Sequence, residues 1–493
     1  MYFTNPVTTV LSIVTLLFLA MLLYGQKKKI HPNYPPGPPR WPIIGNMHMI
    51  NTKTPHLTFL ELAAKYGSVF SVRLGTLESV ILCGYETVKD ALINHAEEFS
   101  DRPELQVFMD ISRGHGVSFC SGNNWKVMRR FTLSTLRSLG MGSRTLEDKI
   151  IEECKCLVQA MKAYKGRPFE NTMILNAAVA NIIVSILISH RFSYDDPKLQ
   201  KLLIAVDDIF RKSGTPMALL YNAFPSLFRW LPGSHREISG SADELRSFVN
   251  ETFTNQRSQL DINDESNFID VFLVKQKEEK PNPELYFHDA NLTSLIVELF
   301  GAGTETTAST LQWGLLLLMK YPEIQKTVQN EIEKVIGSRE PNLVHRKQMP
   351  YTDAVIHEIQ RFADLGPMTL PHCTSQDVTF KGFFIPKGTQ VIPLLHSVLR
   401  DKEHFEKPDE FYPQHFLDSD GNFLKNEACI PFSAGKRSCV GENLAKMELF
   451  LFFTTLLQNF TFQPPPGAKL DLTAVGSFTA HPLKHEICAI PRN

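Results

Sequence analysis

The segment FSAGKRSCVG, residues 432–441, decides how the rest of this 493-residue chain reads. It holds one cysteine, Cys439, with no second cysteine at a zinc or redox spacing. Gly435 and Gly441 flank it, Lys436 and Arg437 precede it, and an apolar helical run follows. Thiolate chemistry explains each neighbour. The thiolate, not the thiol, is the strong metal ligand. A helix beginning near Val440 aims free N–H groups and a positive dipole end at the sulfur. Gly435 can take the positive φ that tightens the loop. Gly441 leaves room for a flat, bulky group, Phe432 shields the sulfur, and Arg437 can pair with an anion. The pattern predicts one axial thiolate beneath a planar, carboxylate-bearing cofactor, and haem fits. The plainer alternative is a buried structural cysteine.

Three further constellations lie upstream. AGTETT, Ala302 to Thr307, sits inside a long apolar helical run that ends before Pro322. Ala302 and Thr306 are four apart and share a face. Gly301, Gly303 and the threonines loosen the helix, because threonine can bond back to the i−4 carbonyl. The expectation is a local opening with a hydroxyl (Thr306) and a carboxylate (Glu305) beside it, suited to binding oxygen and relaying protons. Small-residue helix packing is the bland reading. In EIQR, Glu358 and Arg361 stand three apart on one helix face; such pairs are usually surface features worth a few tenths of a kcal/mol. In WKVMR, Trp125 and Arg129 share a face at i, i+4, where core packing is the simple explanation.

The remainder bounds the class. The chain is 43% hydrophobic with 34 Phe, enough for a large core. A net charge of -1 gives no reason to expect a nucleic-acid partner. Eight scattered cysteines do not look like a disulfide framework. Val7 to Tyr24 carries no charge, just reaches bilayer-spanning length, and is followed by Lys27, Lys28 and Lys29. This predicts an uncleaved membrane anchor with the following chain on the cytosolic side. A proline-dense, stiff spacer follows over residues 31–46. Residues 65–85 read as a strand pair turning at Gly75, 145–320 as mostly helix, 323–336 as an amphipathic helix, 370–395 as short strands, and 441–460 as helix. No Gly-x-Gly-x-x-Gly fingerprint appears, so electrons for a redox reaction must come from a partner.

In order and spacing, these segments resemble the cytochrome P450 monooxygenases, in particular their microsomal family-2 branch. Phe432, Gly435, Arg437, Cys439 and Gly441 match the haem-binding signature. AGTETT is similar to the oxygen-activation motif, with Thr306 in the threonine position and Glu305 as the acid. Glu358 and Arg361 match a structural Glu-x-x-Arg pair behind the haem. Trp125 and Arg129 match the helix that reaches both propionates, and His372 and Arg102 match further propionate-contacting positions. One departure stands out: FYPQHF places His415 where an arginine usually completes the Glu-x-x-Arg network.

The resemblance implies a mostly α protein with small β-sheets, the cytochrome P450 fold, plus an N-terminal transmembrane helix. Residues 1–29 are then the anchor, 30–46 the hinge and 47–493 one haem-thiolate catalytic domain at the endoplasmic reticulum membrane. It implies haem b with Cys439 as axial ligand. It implies O2, and NADPH-derived electrons through NADPH–cytochrome P450 reductase, with cytochrome b5 as an optional second donor. The reaction implied is insertion of one oxygen atom into a lipophilic substrate, by hydroxylation or epoxidation of a foreign compound, fatty acid or steroid. The pocket positions carried over are Phe108, Val117, Val297, Phe300, Leu370 and Phe478. Lys126, Arg130, Lys436 and Lys446 are expected to form a basic docking face. A haem-thiolate sensor and a reductase-independent isomerase are the competing readings; both tolerate loss of the Glu305–Thr306 pair, which is present here.

Overall fold

The apolar run around AGTETT forms one unbroken helix, Asp289–Lys320, buried along almost its whole length. His288 caps its start by accepting from the Asn291 N–H. It ends at Lys320, two residues before Pro322, which has no N–H to continue the ladder. A helix apolar on every side must be covered on every side, and the other elements do this. The computed structural model describes residues 8, 10–12, 14–16, 31–259, 266–279, 286–476 and 479–492. Most of the expected anchor, with Lys27 to Lys29, and the pocket residue Phe478 lie outside the described residues. No helix among the described residues is long and apolar enough to cross a membrane.

The helices used below are, in chain order, α1 Gln106–Ser112, α2 Gly122–Ser138, α3 Arg144–Lys162, α4 Thr172–Ile188, α5 Pro197–Ser213 and α6 Ser234–Gln259. They continue as α7 Phe268–Glu278, α8 Asp289–Lys320, α9 Pro322–Val335, α10 Pro350–Ala363 and α11 Glu442–Asn459. The equally apolar α4 makes the most extensive packing against α8. Gly303 permits it: a Cβ there would stand 2.6 Å from Ile183 Cδ1. Part of the small-residue run is therefore close helix packing.

The strands are short. β1 Val69–Leu74 and β2 Leu77–Leu82 form the expected antiparallel pair, closing at Leu74↔Leu77 with Gly75 at φ +64°. The chain later supplies β3 Phe169–Glu170, β4 His372–Cys373, β5 Val378–Phe380, β6 Phe383–Ile385 and β7 Gln390–Pro393. It ends with β8 Phe460–Gln463, β9 Ala474–Val475, β10 His481–Pro482 and β11 Glu486–Pro491. β2 pairs in parallel with β7, in the sheet order β1-β2-β7-β4. The early strand pair and the late strands thus share one sheet, so they cannot fold as separate units. The proline-rich stretch is docked against β1 and is not a free spacer. The Ser71 N–H donates to Pro36 O at 2.7 Å and the Ser71 hydroxyl to Pro35 O at 2.8 Å.

Candidate active site

The cysteine loop is held from beneath. Gly435 has φ +72°, and a Cβ there would lie 1.8 Å from the carbonyl oxygen of Leu92. Both its conformation and its clearance demand glycine. Gly435→Ala is expected to cost about 2–4 kcal/mol, read as a lower denaturation midpoint and reduced cofactor content of the purified protein. Unchanged values would show that the loop does not depend on that contact. The Cys439 N–H donates to Phe432 O at 3.0 Å, closing the loop. The helix begins at Glu442, two residues later than the sequence pattern placed it, with Gly441 as its N-cap. Burial pushes the Cys439 thiol up; the N–H groups of Gly441 and Glu442 and the Arg129 guanidinium pull the other way. Helix-end donors are thus aimed as expected, yet burial outweighs them until a metal ion removes the proton. Cys439 is enclosed by protein but keeps accessible surface, so its side chain borders internal space.

Above one edge of the loop, basic side chains from four distant segments converge. Arg437 donates through Nε to Ser100 O at 2.6 Å and through Nη2 to Cys120 O at 2.7 Å. Its guanidinium carbon stacks 3.8 Å from the centre of the Trp125 ring. Arg102 donates to Ser118 O, Leu370 O and Pro371 O. Arg129 donates to Ser438 O at 2.7 Å, next to Cys439. His372 is buried, with Nδ1 2.7 Å from Phe99 O. Burial lowers the pKa of each of these arginines and of His372, and the mutual repulsion of Arg102, Arg129 and Arg437 adds to it. Arg437 falls to about 10. Among the described residues none of the three arginines forms an ion pair, and the buried Trp125 Nε1 has no hydrogen-bond partner. Buried cations that form no direct ion pair, with Glu298 and Asp101 merely nearby, are costly. This donor set therefore suits a group that brings two carboxylates to the loop, as haem does.

On α8, Ala302 is exposed and Thr306 half-buried in the middle of an otherwise buried helix. They too face internal space. The Thr306 hydroxyl donates to Ala302 O at 2.8 Å, the back-bond expected of it. Glu305 is buried and does not bond to Thr306; its Oε1 accepts from the Ser309 hydroxyl at 3.1 Å and stands 3.1 Å from His481 Nδ1. Burial, reinforced by Asp207, pushes Glu305 up to about 7. His481, Ser309 and a second α8 carboxylate, Glu298, escaped the sequence reading. Glu298 accepts from the Val117 and Ser118 N–H groups at 2.6 and 3.0 Å. A carboxylate inside the run SLIVELF was the signal for it.

The Glu358–Arg361 pair is fully buried, with two bonds of 2.7 Å. Arg361 also donates to Leu399 O, Pro408 O and Glu410 O. His415 occupies the missing arginine's place. Its Nε2 accepts from the Lys407 N–H at 3.1 Å, so Nδ1 carries the hydrogen and donates to Glu358 Oε2 at 3.3 Å. The Tyr412 N–H supplies a further donor to Glu358 at 2.8 Å. A neutral histidine and a backbone amide therefore replace a charge.

The expected pocket residues separate. Phe108 stacks on Phe119 at 4.2 Å, Val117 adjoins Arg437, and the Leu370 carbonyl binds Arg102. Val297 and Phe300 instead line a small apolar cavity with Val184, Leu202, Leu245 and Ile269, between α8 and helices α4 to α7. They lie about 140° and 160° around α8 from Ala302, on a different face. Of the expected docking cations, Lys126, Arg130 and Lys436 line one open groove with Trp125, Arg129 and Arg137. Lys436 also pairs with Glu97, while Lys446 pairs with Glu442 at 2.6 Å and lies outside the groove lining.

Comparison with known proteins gives a consistent result. The family profile described as Cytochrome P450 matches residues 35–489. The chain is 46% identical to cytochrome P450 2K4 of Oncorhynchus mykiss, over 99% of this chain and 98% of that protein. It is 46% identical to cytochrome P450 2K6 of Danio rerio over 92% and 90%. It is 44% identical to cytochrome P450 2B19 of Mus musculus over 91% of each chain.

Proposed function

The chain belongs to the cytochrome P450 family and is a haem-thiolate monooxygenase, and on that premise we propose which of its residues do the work. Cys439 is the axial ligand. Trp125, Arg129, Arg437, Arg102 and His372 hold the haem carboxylates. The carrying observation is the set of buried, unpaired arginines and the orphaned Trp125 N–H around a cysteine that borders internal space. When bound, haem supplies the oxygen activation, and a thiolate ligand favours O–O cleavage. Phe432, Gly435 and Gly441 shape the cysteine loop that would hold it, and Ala302, exposed on α8, would leave it room. A reduced carbon monoxide difference spectrum of the full-length protein tests the assignment. A strongly red-shifted Soret band is expected; a band typical of histidine or thiol ligation in folded protein would overturn it.

With the cofactor in place, the Thr306 hydroxyl would hold and hand on a proton on the oxygen side of the site, and Glu305 would be the acid that recharges it. Thr306→Ala should bind cofactor normally yet release several-fold more peroxide per NADPH consumed. Coupling equal to wild type would remove Thr306 from the proton path.

A lipophilic substrate, bordered by Phe108, Val117, Leu370 and Phe478, is the reading that the apolar character of these side chains supports. Electrons arrive from NADPH–cytochrome P450 reductase, with cytochrome b5 as an optional donor, at the groove around Trp125. Lys126, Arg130 and Arg137 form no ion pair among the described residues, so they remain available to an acidic partner. Arg130→Glu should raise the reductase concentration needed for half-maximal turnover, most strongly at low salt, with the carbon monoxide spectrum unchanged. Unaltered reductase dependence would move the docking face elsewhere. Residues 1–29 serve as the endoplasmic reticulum anchor, and 30–46, a hinge segment whose Pro35 and Pro36 are docked on β1, joins it to a catalytic domain formed by residues 47–493.

A further inference from the structure

Glu305 sits in a cluster of titratable groups drawn from three elements. Ser309, one turn further along α8, donates to Oε1. His481 on β10 brings Nδ1 within 3.1 Å of Oε1 and 2.9 Å of the Ser309 hydroxyl. Its other nitrogen, Nε2, lies 2.6 Å from the Thr479 hydroxyl. From α5, Asp207 and Arg211 face both Glu305 and His481 and pair with each other at 2.5 Å. About a third of each of those two side chains is exposed, so the cluster runs from a buried carboxyl to the protein rim. Glu305 Oε2 is buried without a partner.

The histidine is held firmly. Trp313 Nε1 on α8 donates to Ala480 O at 2.9 Å, and the Ala480 N–H donates to Leu365 O at 2.8 Å. These bonds fix the backbone immediately before His481. Burial and Arg211 hold His481 down at about 4, with Asp207 opposing, while Glu305 rises to about 7. Near neutral pH the proton of this pair therefore belongs to the carboxyl, and the imidazole is a neutral hydrogen-bond partner.

We propose that His481 is a positioning residue for Glu305: with Ser309 it fixes Oε1 against the C-terminal hairpin, leaving Oε2 to give up and regain the proton. Ser309 gives its one hydrogen to Oε1, so its oxygen accepts from Nδ1–H at 2.9 Å, and Nε2 accepts from the Thr479 hydroxyl. When the Oε2 proton leaves to an acceptor water, the carboxylate keeps the Ser309 hydroxyl as donor, oriented by the Nδ1–H behind it. Reprotonation of Oε2 from solvent water restores the acid. This rests on the reading of Glu305 as the acid of the oxygen site.

The test is an infrared pH titration of the full-length, haem-loaded protein. Each spectrum has its own Glu305→Gln counterpart subtracted, which cancels the other buried carboxyls with raised pKa, Glu298 and Glu448. The difference isolates the protonated Glu305 carboxyl, and its loss with rising pH gives a midpoint. His481→Val should raise that midpoint by about one pH unit, because the Ser309 hydroxyl loses the N–H that orients its donation to the carboxylate. His481→Asn, which can present an N–H near the Nδ1 position, should restore it. Ser309→Ala, a small change, should also raise it. Unmoved midpoints in His481→Val and Ser309→Ala overturn the proposal, as does a shift in His481→Asn as large as in His481→Val. Peroxide released per NADPH in Glu305→Gln separates the two readings. Wild-type coupling there would sink the acid role and leave the positioning result standing. Wasted electrons with an unmoved His481→Val midpoint would do the reverse.

Discussion

Replacing Cys439 with alanine is expected to abolish monooxygenase turnover, a loss of at least about a thousandfold, equivalent to about 4 kcal/mol of barrier. The reason is specific to the sulfur. Alanine removes the ligand but leaves the loop: Gly435 still fits beneath Leu92, and the N–H at 439 can still reach Phe432 O. The arginines above it stay buried and unpaired, so the variant should retain some haem through its carboxylates. Its reduced carbon monoxide spectrum should lack the red-shifted band. Haem content and ligation are thus separable: normal haem with no thiolate signature supports the assignment, and a retained signature would mean that another thiol serves. The seven other cysteines offer seven controls; Cys120, for example, is buried with its thiol bonded to Gly116 O.

The second large effect is expected at Glu358, far from any reacting atom. Glu358→Gln preserves shape but leaves Arg361 as a buried charge with only carbonyls and an amide around it. Breaking a buried pair in this way costs about 3–5 kcal/mol, enough to lower the yield of folded, haem-loaded protein severely. The exposed pair Lys425–Glu427, with side chains 73% and 70% exposed, provides the contrast: Glu427→Gln should change stability by no more than about 0.5 kcal/mol. Purification yield and denaturation midpoints of the two variants, side by side, check this. Equal effects would mean that the buried pair contributes no more than a surface one. His415→Arg adds a second test, since a neutral donor now bonds Glu358; a third charge there needs a counter-charge that the described site does not offer.

Much of this was legible because it is local. The turn at Gly75, the end of α8 before Pro322, the i, i+3 pairing of Glu358 with Arg361 and the back-bond of Thr306 all follow from residues within one or two helical turns. The loop around Cys439 follows from glycines at fixed offsets. Other features were misplaced because they depend on what lies opposite. The proline-rich stretch read as a spacer, yet Ser71 binds it down. Val297 and Phe300 read as pocket residues, yet the rotation of α8 turns them toward α4 to α7.

By itself the sequence determined the family and which residues share a helix face, and it nominated the ligand loop and the oxygen-side helix, since periodicity and covalent spacing are written into the order of residues. Only the tertiary structure decided what covers each face. By spacing alone the Glu358–Arg361 pair reads as a surface bridge worth tenths of a kcal/mol, the family resemblance implied a structural role behind the haem, and complete burial supplies the physical reason for one. Glu305 looked like Thr306's immediate partner, and it is held instead by His481 through Ser309, across 172 residues of chain. Electrostatic strength depends on the surrounding dielectric and on the groups that converge from elsewhere, and neither is a property of a local stretch of sequence.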